Sequence, residues 1–331
     1  MLLATLTTIK LGGNAKEYVA CTTNDDIIAA LSHAKENNMR VHVLGGGSNS
    51  IFADSGFDGL VVHIQTKGIT TTPDGELTAQ AGENWDNVVQ YAIANNLTGI
   101  ECLSGIPGSC GGTPFQNVGA YGQEVSQTIS HVDAIDRTSL EAVRFTNEEC
   151  IFGYRTSRFK EQDFNKYIIT SVTFKLIPNG TPNIRYGELS SLVSETSSLQ
   201  ETRNAVLSLR KKKSMLVDPT DPNSISCGSF FTNPIISKKK LDTIQENSQE
   251  QIPHYNSEAD QVKLSAAWLV EHAGFVKGTK RGNVGISQNH SLALINRGGS
   301  TQELLRFAEE IQQAVKQKFD IQLALEPLVI Q

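Results

Sequence analysis

The sequence predicts a globular α+β protein of two or three structural units. Three observations carry that prediction. The chain has 331 residues, more than a single core usually serves. Its first glycine loop stands in the order helix, strand, loop, strand, so it does not open a helix as the loop of a dinucleotide-binding βαβ unit does. A second segment, SGIPGSCGGTPFQNVGAYG at residues 104–122, holds six glycines and two prolines. No helix or strand of ordinary length tolerates that density of breakers.

The elements follow in order. Thr23 to Asn37 reads as a helix. Thr23 caps it, Asp26 stands three residues on, and Ile27, Ile28, Leu31 and Ala34 make its apolar side. Arg40 to Leu44 is a short strand, GGGSNS follows at Gly45 to Ser50, and Leu60 to Ile64 is the next strand. Thr78 to Ala81 reads as a strand. Trp85 to Ile93 reads as a helix with Val88, Val89, Ala92 and Ile93 turned inward. His131 to Ile135 and Tyr167 to Phe174 are strands, and SVTFKL alternates with period two. Residues 195–210 form a polar helix that ends at the basic cluster Arg210, Lys211, Lys212 and Lys213. Prolines and polar residues over 214–228 indicate an exposed loop and a domain boundary. Ser300 caps the last helix, Glu303 closes a capping box, and Leu304, Ala308, Ile311, Val315 and Phe319 recur every three or four residues. IQLALEPLVI is the final strand.

Composition excludes several classes. A hydrophobic share of 39% and a charged share of 19% allow a core of normal size. A net charge of −6 gives no electrostatic reason to expect nucleic acid or an anionic membrane as partner. The five cysteines are odd in number and none are spaced C-x-x-C, which argues against a disulfide framework or a metal cage. The N-terminus lacks a signal-peptide pattern and no apolar run is long enough to span a bilayer. A cytoplasmic protein without a metal site is expected.

Several segments can carry chemistry. Glycine allows close approach of backbone to a ligand, and successive N–H groups can form a nest for an anion without a helix dipole. Two such loops suggest a ligand with two phosphates or a long flat body; a pair of unusual turns is the plain alternative. FGYRTSRFK brings Tyr154, Arg155, Arg158 and Lys160 together, and arginine suits bidentate carboxylate recognition, though a surface turn would look the same. In CGSFFTNP, Gly228 and the Phe230–Phe231 pair would hold Ser229 rigidly, with no G-x-S-x-G elbow to make it an acyl-transfer nucleophile. In LALEP, Glu326 is a carboxylate in an apolar run, either paired and functional or facing water at an edge.

Together LGGGSN, AGENW, LSGIPGSCGGTPFQNVGAYG, FGYRTSRFK, YGEL, CGSFFTNP, KLSAAWLVEHAG and LALEP, in this order, resemble the UDP-N-acetylenolpyruvoylglucosamine reductase (MurB) family almost from end to end. The resemblance implies a vanillyl-alcohol-oxidase-type FAD-binding domain in two subdomains, about 1–66 and 67–205. It implies a smaller α+β substrate-binding domain at 206–318, and a C-terminal strand at 319–331 returning to the active site. It implies non-covalent FAD, with NADPH as hydride donor, and a monomer that binds NADPH and UDP-N-acetylglucosamine enolpyruvate in one shared cleft. Reduction would pass hydride from flavin N5 to C3 of the enolpyruvyl group and a proton to C2, giving UDP-N-acetylmuramate for cell-wall synthesis. No histidine lies in either glycine loop, so Cys110 is the one residue there that could form a covalent flavin link.

Carried over position by position, the resemblance makes Ser229 the proton donor, Arg155 the group that polarises the carboxylate side, and Glu326 its partner. Gly45, Gly46, Gly47, Ser48 and Asn49 would receive the FAD pyrophosphate. Gly105, Ser109, Gly111 and Gly112, with Gly119, Ala120, Tyr121 and Gly122, would line the ring and pyrophosphate from the other side. Tyr154, Tyr186, Lys213, Asn233, Lys277 and His290 would contact substrate, Tyr186 being the tyrosine of the subgroup that has this loop. RKKKSMLVDPTDPN is longer than the family's R-x-x-K-L-P form, which puts the position of the lysine in question. Another flavin oxidoreductase on the same FAD fold, acting on an alcohol or hydroxy acid, is the alternative.

Overall fold

The computed structural model describes residues 1–184, 187–257 and 260–331. The chain forms two compact units. The first takes Met1, Ala15–Gly47 and Phe57–Leu216; the second takes Leu2–Asn14, Ser48–Gly56 and Val217–Gln331.

In the first unit, Phe57–Ile64 is the middle strand of a parallel three-stranded sheet, flanked by Ala15–Cys21 and Val41–Leu44. A central parallel strand is covered on both faces, which is why LVVHI is a continuous apolar run. Helix α1, Asn24–Glu36, is closed by the Thr23–Asp26 capping box and buries Ile27, Ala30 and Leu31 in one cluster with Cys21, Leu60 and Val62. The first glycine loop leaves the end of Val41–Leu44. An antiparallel sheet of five strands follows, ordered Ala142–Thr146, Ile129–Asp136, Tyr167–Lys175, Glu76–Gln80 and Ile69–Thr71. Helix α2, Trp85–Ala94, packs with the core of that sheet; Trp85 is fully buried and its indole N–H donates to Leu103 O at 3.1 Å. A short helix α3, Gly187–Ser190, and the longer α4, Leu199–Lys212, complete the unit.

The second unit contains two antiparallel three-stranded sheets and helices α5 (Lys238–Gln245), α6 (Ala266–His272) and α7 (Thr301–Phe319). The C-terminal strand Leu328–Ile330 runs parallel to Ser50–Phe52. The start of α7 is fixed to that early segment, because Thr301 N–H donates to Asp54 Oδ1 at 2.7 Å and Thr301 Oγ1 to Phe52 O at 2.7 Å. The apolar face of α7, Leu304, Phe307, Ala308, Ile311 and Val315, is buried. Among the described residues no helix is long and apolar enough to cross a membrane.

The structure differs from the sequence expectation at four places. The expected boundary at 205/206 falls inside α4, an unbroken helix, so residues up to Leu216 stay with the first unit. The loop over 214–228 is not simply exposed: Ser214, Asn223, Ser224, Ser226 and Cys227 are buried. Glu303 does not close a capping box; Ser300 accepts the Glu303 N–H, but the Glu303 carboxylate is drawn to the Asn283 N–H at 2.7 Å. The final strand covers only Leu328–Ile330, because residues 324–326 pair with a different segment, described below.

Two histidines of the parallel sheet, buried His42 and half-buried His63, have lowered pKa values. Burial, aided by the nearby Arg137 cation, pushes His42 down to about 4, and burial also lowers His63. A depressed folded pKa means the unfolded chain takes up a proton that the folded protein refuses. The stability is therefore complete above the ordinary histidine pKa and is lost as pH falls toward 4. For His42 this amounts to about 3 kcal/mol. His42→Gln is expected to flatten the loss of unfolding free energy between pH 6.5 and 4 relative to wild type, measured by urea unfolding across that range; parallel curves would reject the assignment.

Candidate active site

The two glycine loops of the first unit meet backbone to backbone. Gly46 N–H donates to Ser109 Oγ at 3.2 Å. A Cβ on Gly46 would lie 2.6 Å from both Gly108 C and Gly108 Cα, and one on Gly111 would lie 2.6 Å from Ala81 Cβ. Bare backbone is thus required by the packing of the loops themselves. Gly112 is different: it is exposed, and a Cβ there would meet only Ser109 Oγ, at 3.8 Å. Neither 45–49 nor 104–122 contains Asp, Glu, Lys or Arg. The surface offers main-chain polar groups and no competing negative charge, which suits the pyrophosphate of FAD. Cys110 is fully buried and burial raises its thiol pKa far above the ordinary range, which leaves it a poor nucleophile.

Gly105 stands apart from this surface. Its N–H donates to Asp86 Oδ1 at 2.6 Å, and its carbonyl accepts from Arg210 Nε at 3.1 Å. A Cβ would meet Leu207 and Leu216 at 2.7 Å. Its N–H and carbonyl are both engaged at the junction with α4, where its φ is +72°. Asp86 also holds Arg203 in a two-point ion pair at 2.6 and 2.7 Å. Burial raises the Asp86 pKa, but bonds from Arg203 and Gly105 outweigh it and hold the carboxyl low. Neither Asp86 nor Arg203 was singled out by the sequence reading, and no local pattern marks a pair 117 residues apart.

Gly119, Ala120, Tyr121 and Gly122 form one hairpin with Gln123 and Glu124. Tyr121 and Gly122 both have positive φ, at +50° and +83°, the requirement of a two-residue I′ turn. Arg155 donates from Nη2 to Gly119 O at 2.8 Å and itself sits at φ +55°. Its guanidinium lies over the Tyr154 ring at 5.5 Å, so the two expected neighbours form one unit. Lys213 caps the end of α4 and pairs with Glu188 of α3. Tyr186 lies outside the described residues.

In the second unit, Gly228 at φ +77° turns the chain so that Ser229 begins an extended segment. That segment is bonded on two sides. Phe230 N–H donates to Leu292 O at 2.8 Å, while Glu326 N–H donates to Phe230 O at 2.9 Å and Thr232 N–H to Ala324 O at 3.0 Å. Ser229, Glu326 and the loop bearing His290 are therefore neighbours. His290 Nδ1 accepts the Leu292 N–H at 3.0 Å, so the neutral ring carries its proton on Nε2. Burial and the Glu326 charge push the Cys227 thiol up to about 12. Ser48 and Asn49 belong to this unit. Asn49 Nδ2 donates to Glu326 O at 3.2 Å and Asn49 O accepts from Leu328 N–H at 2.9 Å, so this residue fastens the Glu326 strand. Asn233 Oδ1 takes the Ala266 N–H at 2.9 Å at the start of α6. Lys277 is exposed on the loop after α6.

Comparisons with known proteins identify the family. Residues 15–139 match the family model of the FAD binding domain, and residues 219–330 that of the UDP-N-acetylenolpyruvoylglucosamine reductase C-terminal domain. The UDP-N-acetylenolpyruvoylglucosamine reductase of Salinispora arenicola is 40% identical over 99% of this chain and 94% of its own. The chain belongs to the UDP-N-acetylenolpyruvoylglucosamine reductase family. The reductase of Mycobacterium tuberculosis H37Rv is 42% identical, again over 99% of this chain and 94% of the relative. The crystal structure of the MurB reductase from Thermus caldophilus superposes with a TM-score of 0.70 at 23% identity, covering 100% of this chain and 98% of that one, which shows the fold to be shared. This reductase is a flavoenzyme of peptidoglycan precursor synthesis, with an α+β FAD-binding domain followed by a substrate-binding domain.

The glycines separate into two kinds that experiment can distinguish. In flavin-free protein, Gly46→Ala is expected to lower the unfolding free energy by about 2 kcal/mol through overpacking. Gly112→Ala is expected to change it by less than about 0.5 kcal/mol. Equal losses in urea unfolding would show that the loop contact does not set the requirement at Gly46.

Proposed function

We propose that this chain performs NADPH-dependent, FAD-mediated reduction of UDP-N-acetylglucosamine enolpyruvate to UDP-N-acetylmuramate, with Ser229, Arg155 and Glu326 as its catalytic residues. The observation that carries the reading is the hydrogen bond from Glu326 N–H to Phe230 O, which holds the expected proton donor and the expected carboxylate on adjacent segments of one unit. Bound FAD supplies a hydride carrier that NADPH reduces and the enol ether reoxidises. The chain supplies the rest.

An enol ether is a poor hydride acceptor unless negative charge developing on its carboxylate side is stabilised. Arg155 is suited to that task, since a planar guanidinium can grip a carboxylate at two points. Its own geometry is fixed before substrate arrives, by Gly119 O and the Tyr154 ring. Ser229 is a weak acid, sufficient because an enolate is a strong base. Gly228 and the bonds on both sides of Phe230 hold its position. Glu326 acts as the carboxylate partner of Arg155, and the His290 Nε2–H is a donor on the same unit as Glu326. Lys213, Tyr154, Tyr186, Asn233 and Lys277 contact the nucleotide-sugar. Asn233 is held in place by the bond its oxygen accepts at the start of α6. Gly45 to Asn49, Ser109, Gly111, Gly112 and Gly119 to Gly122 hold FAD non-covalently, a reading supported by the buried, unreactive Cys110. NADPH and the enolpyruvyl substrate would take turns at one cleft of a cytoplasmic monomer.

Ser229→Ala tests the proton donor by separating the half-reactions. NADPH should reduce the flavin at near the wild-type rate in an anaerobic stopped-flow experiment. Reoxidation by the enolpyruvyl substrate should slow by about 100-fold or more. Loss of both half-reactions would remove Ser229 from the role. Arg155→Lys keeps the charge and loses the fork, and is expected to slow reoxidation about 100-fold. Turnover near wild type would refute the carboxylate assignment.

A further inference from the structure

We propose that Asn117 is the positioning residue that sets the Arg155 guanidinium, an inference that rests on the role assigned above to Arg155. Arg155 is constrained from two directions. Its backbone lies in a tight turn closed by Gly153 N–H to Thr156 O at 3.1 Å and Thr156 N–H to Gly153 O at 3.3 Å. Its side chain reaches Gly119 O at 2.8 Å, on the first strand of the 119–124 hairpin. Turn and hairpin are separate segments of chain. For the guanidinium to have one position, they must be locked to each other.

Asn117 makes that lock. Its Nδ2 donates to Gly153 O at 3.0 Å, on the turn, and to Glu124 Oε2 at 2.9 Å, on the hairpin. Its Oδ1 accepts the Ser126 N–H at 3.1 Å, just beyond the hairpin. The side chain is 1% exposed, so each of these bonds lacks competition from water. Its φ of +46° is a conformation that asparagine adopts far more readily than most residues. Only a side chain with two donors and an acceptor on one carbon can serve all three partners. Gly119 is held from the same side, since a Cβ there would lie 2.7 Å from Glu124 Cγ and 3.4 Å from Arg155 Nη1. Lys160 Nζ, donating to Arg155 O at 3.0 Å, steadies the far side of the turn.

Asn117→Asp keeps shape and acceptor, loses both donors, and places a second carboxylate against Glu124. A displacement of the guanidinium by a fraction of an ångström should affect only the step that uses it. Reoxidation of reduced flavin by the enolpyruvyl substrate should slow by about tenfold or more. Flavin content and reduction by NADPH should stay near wild type. Hydrogen–deuterium exchange without substrate should show lost protection in the peptide covering 153–156. In an Arg155→Lys background the same substitution should add less than about twofold, because residues acting through one group are not additive. If Asp at 117 prevents folding, Asn117→Gly, which accepts the positive φ and brings no charge, is measured in the same way. Equal slowing of both half-reactions, no slowing, or multiplicative losses with Arg155→Lys would each overturn the proposal while leaving the role of Arg155 intact. If Arg155→Lys alone reoxidises at the wild-type rate, both assignments fall together.

Discussion

The first unit depends on the contact of two stretches of bare backbone. Gly46 lies against Gly108 and Ser109 so closely that a single methyl group would have to displace main chain, the least yielding neighbour a side chain can meet. This contact joins a loop that ends the parallel sheet to a loop that follows α2, and it creates a surface of peptide groups with no charged side chains. A Rossmann unit solves the same anion problem with a helix dipole. Here the residues after the glycines are extended, as Ser50–Phe52, and the two loops together present the peptide groups.

The breaker-rich stretch has three separate physical uses. Its beginning is an anchor: Gly105 is held through its N–H by Asp86 and through its carbonyl by Arg210, and Arg203 neutralises Asp86. Removing Asp86 would strand the charge of the buried Arg203. Its middle, 108–112, is the loop contact. Its end is an I′ hairpin whose first carbonyl accepts from Arg155. One run of glycines thus meets an anchoring requirement, a close-packing constraint and a positive-φ requirement in turn.

The parts of the fold legible in the sequence were those with local causes. The Thr23–Asp26 box, the buried side of α2 and the apolar row of α7 follow from spacing within a few residues. The parts that were not legible have partners far along the chain. Glu303 had the spacing of a capping box, but the Asn283 N–H took its carboxylate. LALEPLVI had the composition of one strand, yet residues 324–326 pair with 230–232 and only the last three residues pair with Ser50–Phe52. Gly105 looked like its neighbours in sequence, and only its Asp86 and Arg210 bonds separate it from them. For the site, motif order nominated Ser229, Arg155 and Glu326, while Asp86 and Arg203, which anchor Gly105, and Asn117, which bonds the turn bearing Arg155, carry no local mark.

Division of labour within the second unit follows from the same reasoning. As the proposed proton donor, Ser229 would need a fixed position more than a shifted pKa, since an enolate would supply the driving force for proton transfer. The structure provides position through main chain. Gly228 sets the turn, Phe230 is bonded on one side to Leu292 and on the other to Glu326, and Asn49 binds both the Glu326 carbonyl and the Leu328 N–H. Fully buried Phe230 and Phe231 then lock the segment into the core. A proton donor on such a segment cannot drift without breaking sheet-like hydrogen bonds or opening a packed aromatic pair. The buried thiol of Cys227, two residues from the serine, stays protonated beside the Glu326 charge. Within this segment Ser229 is thus the residue proposed as donor, while Cys227 serves the packing.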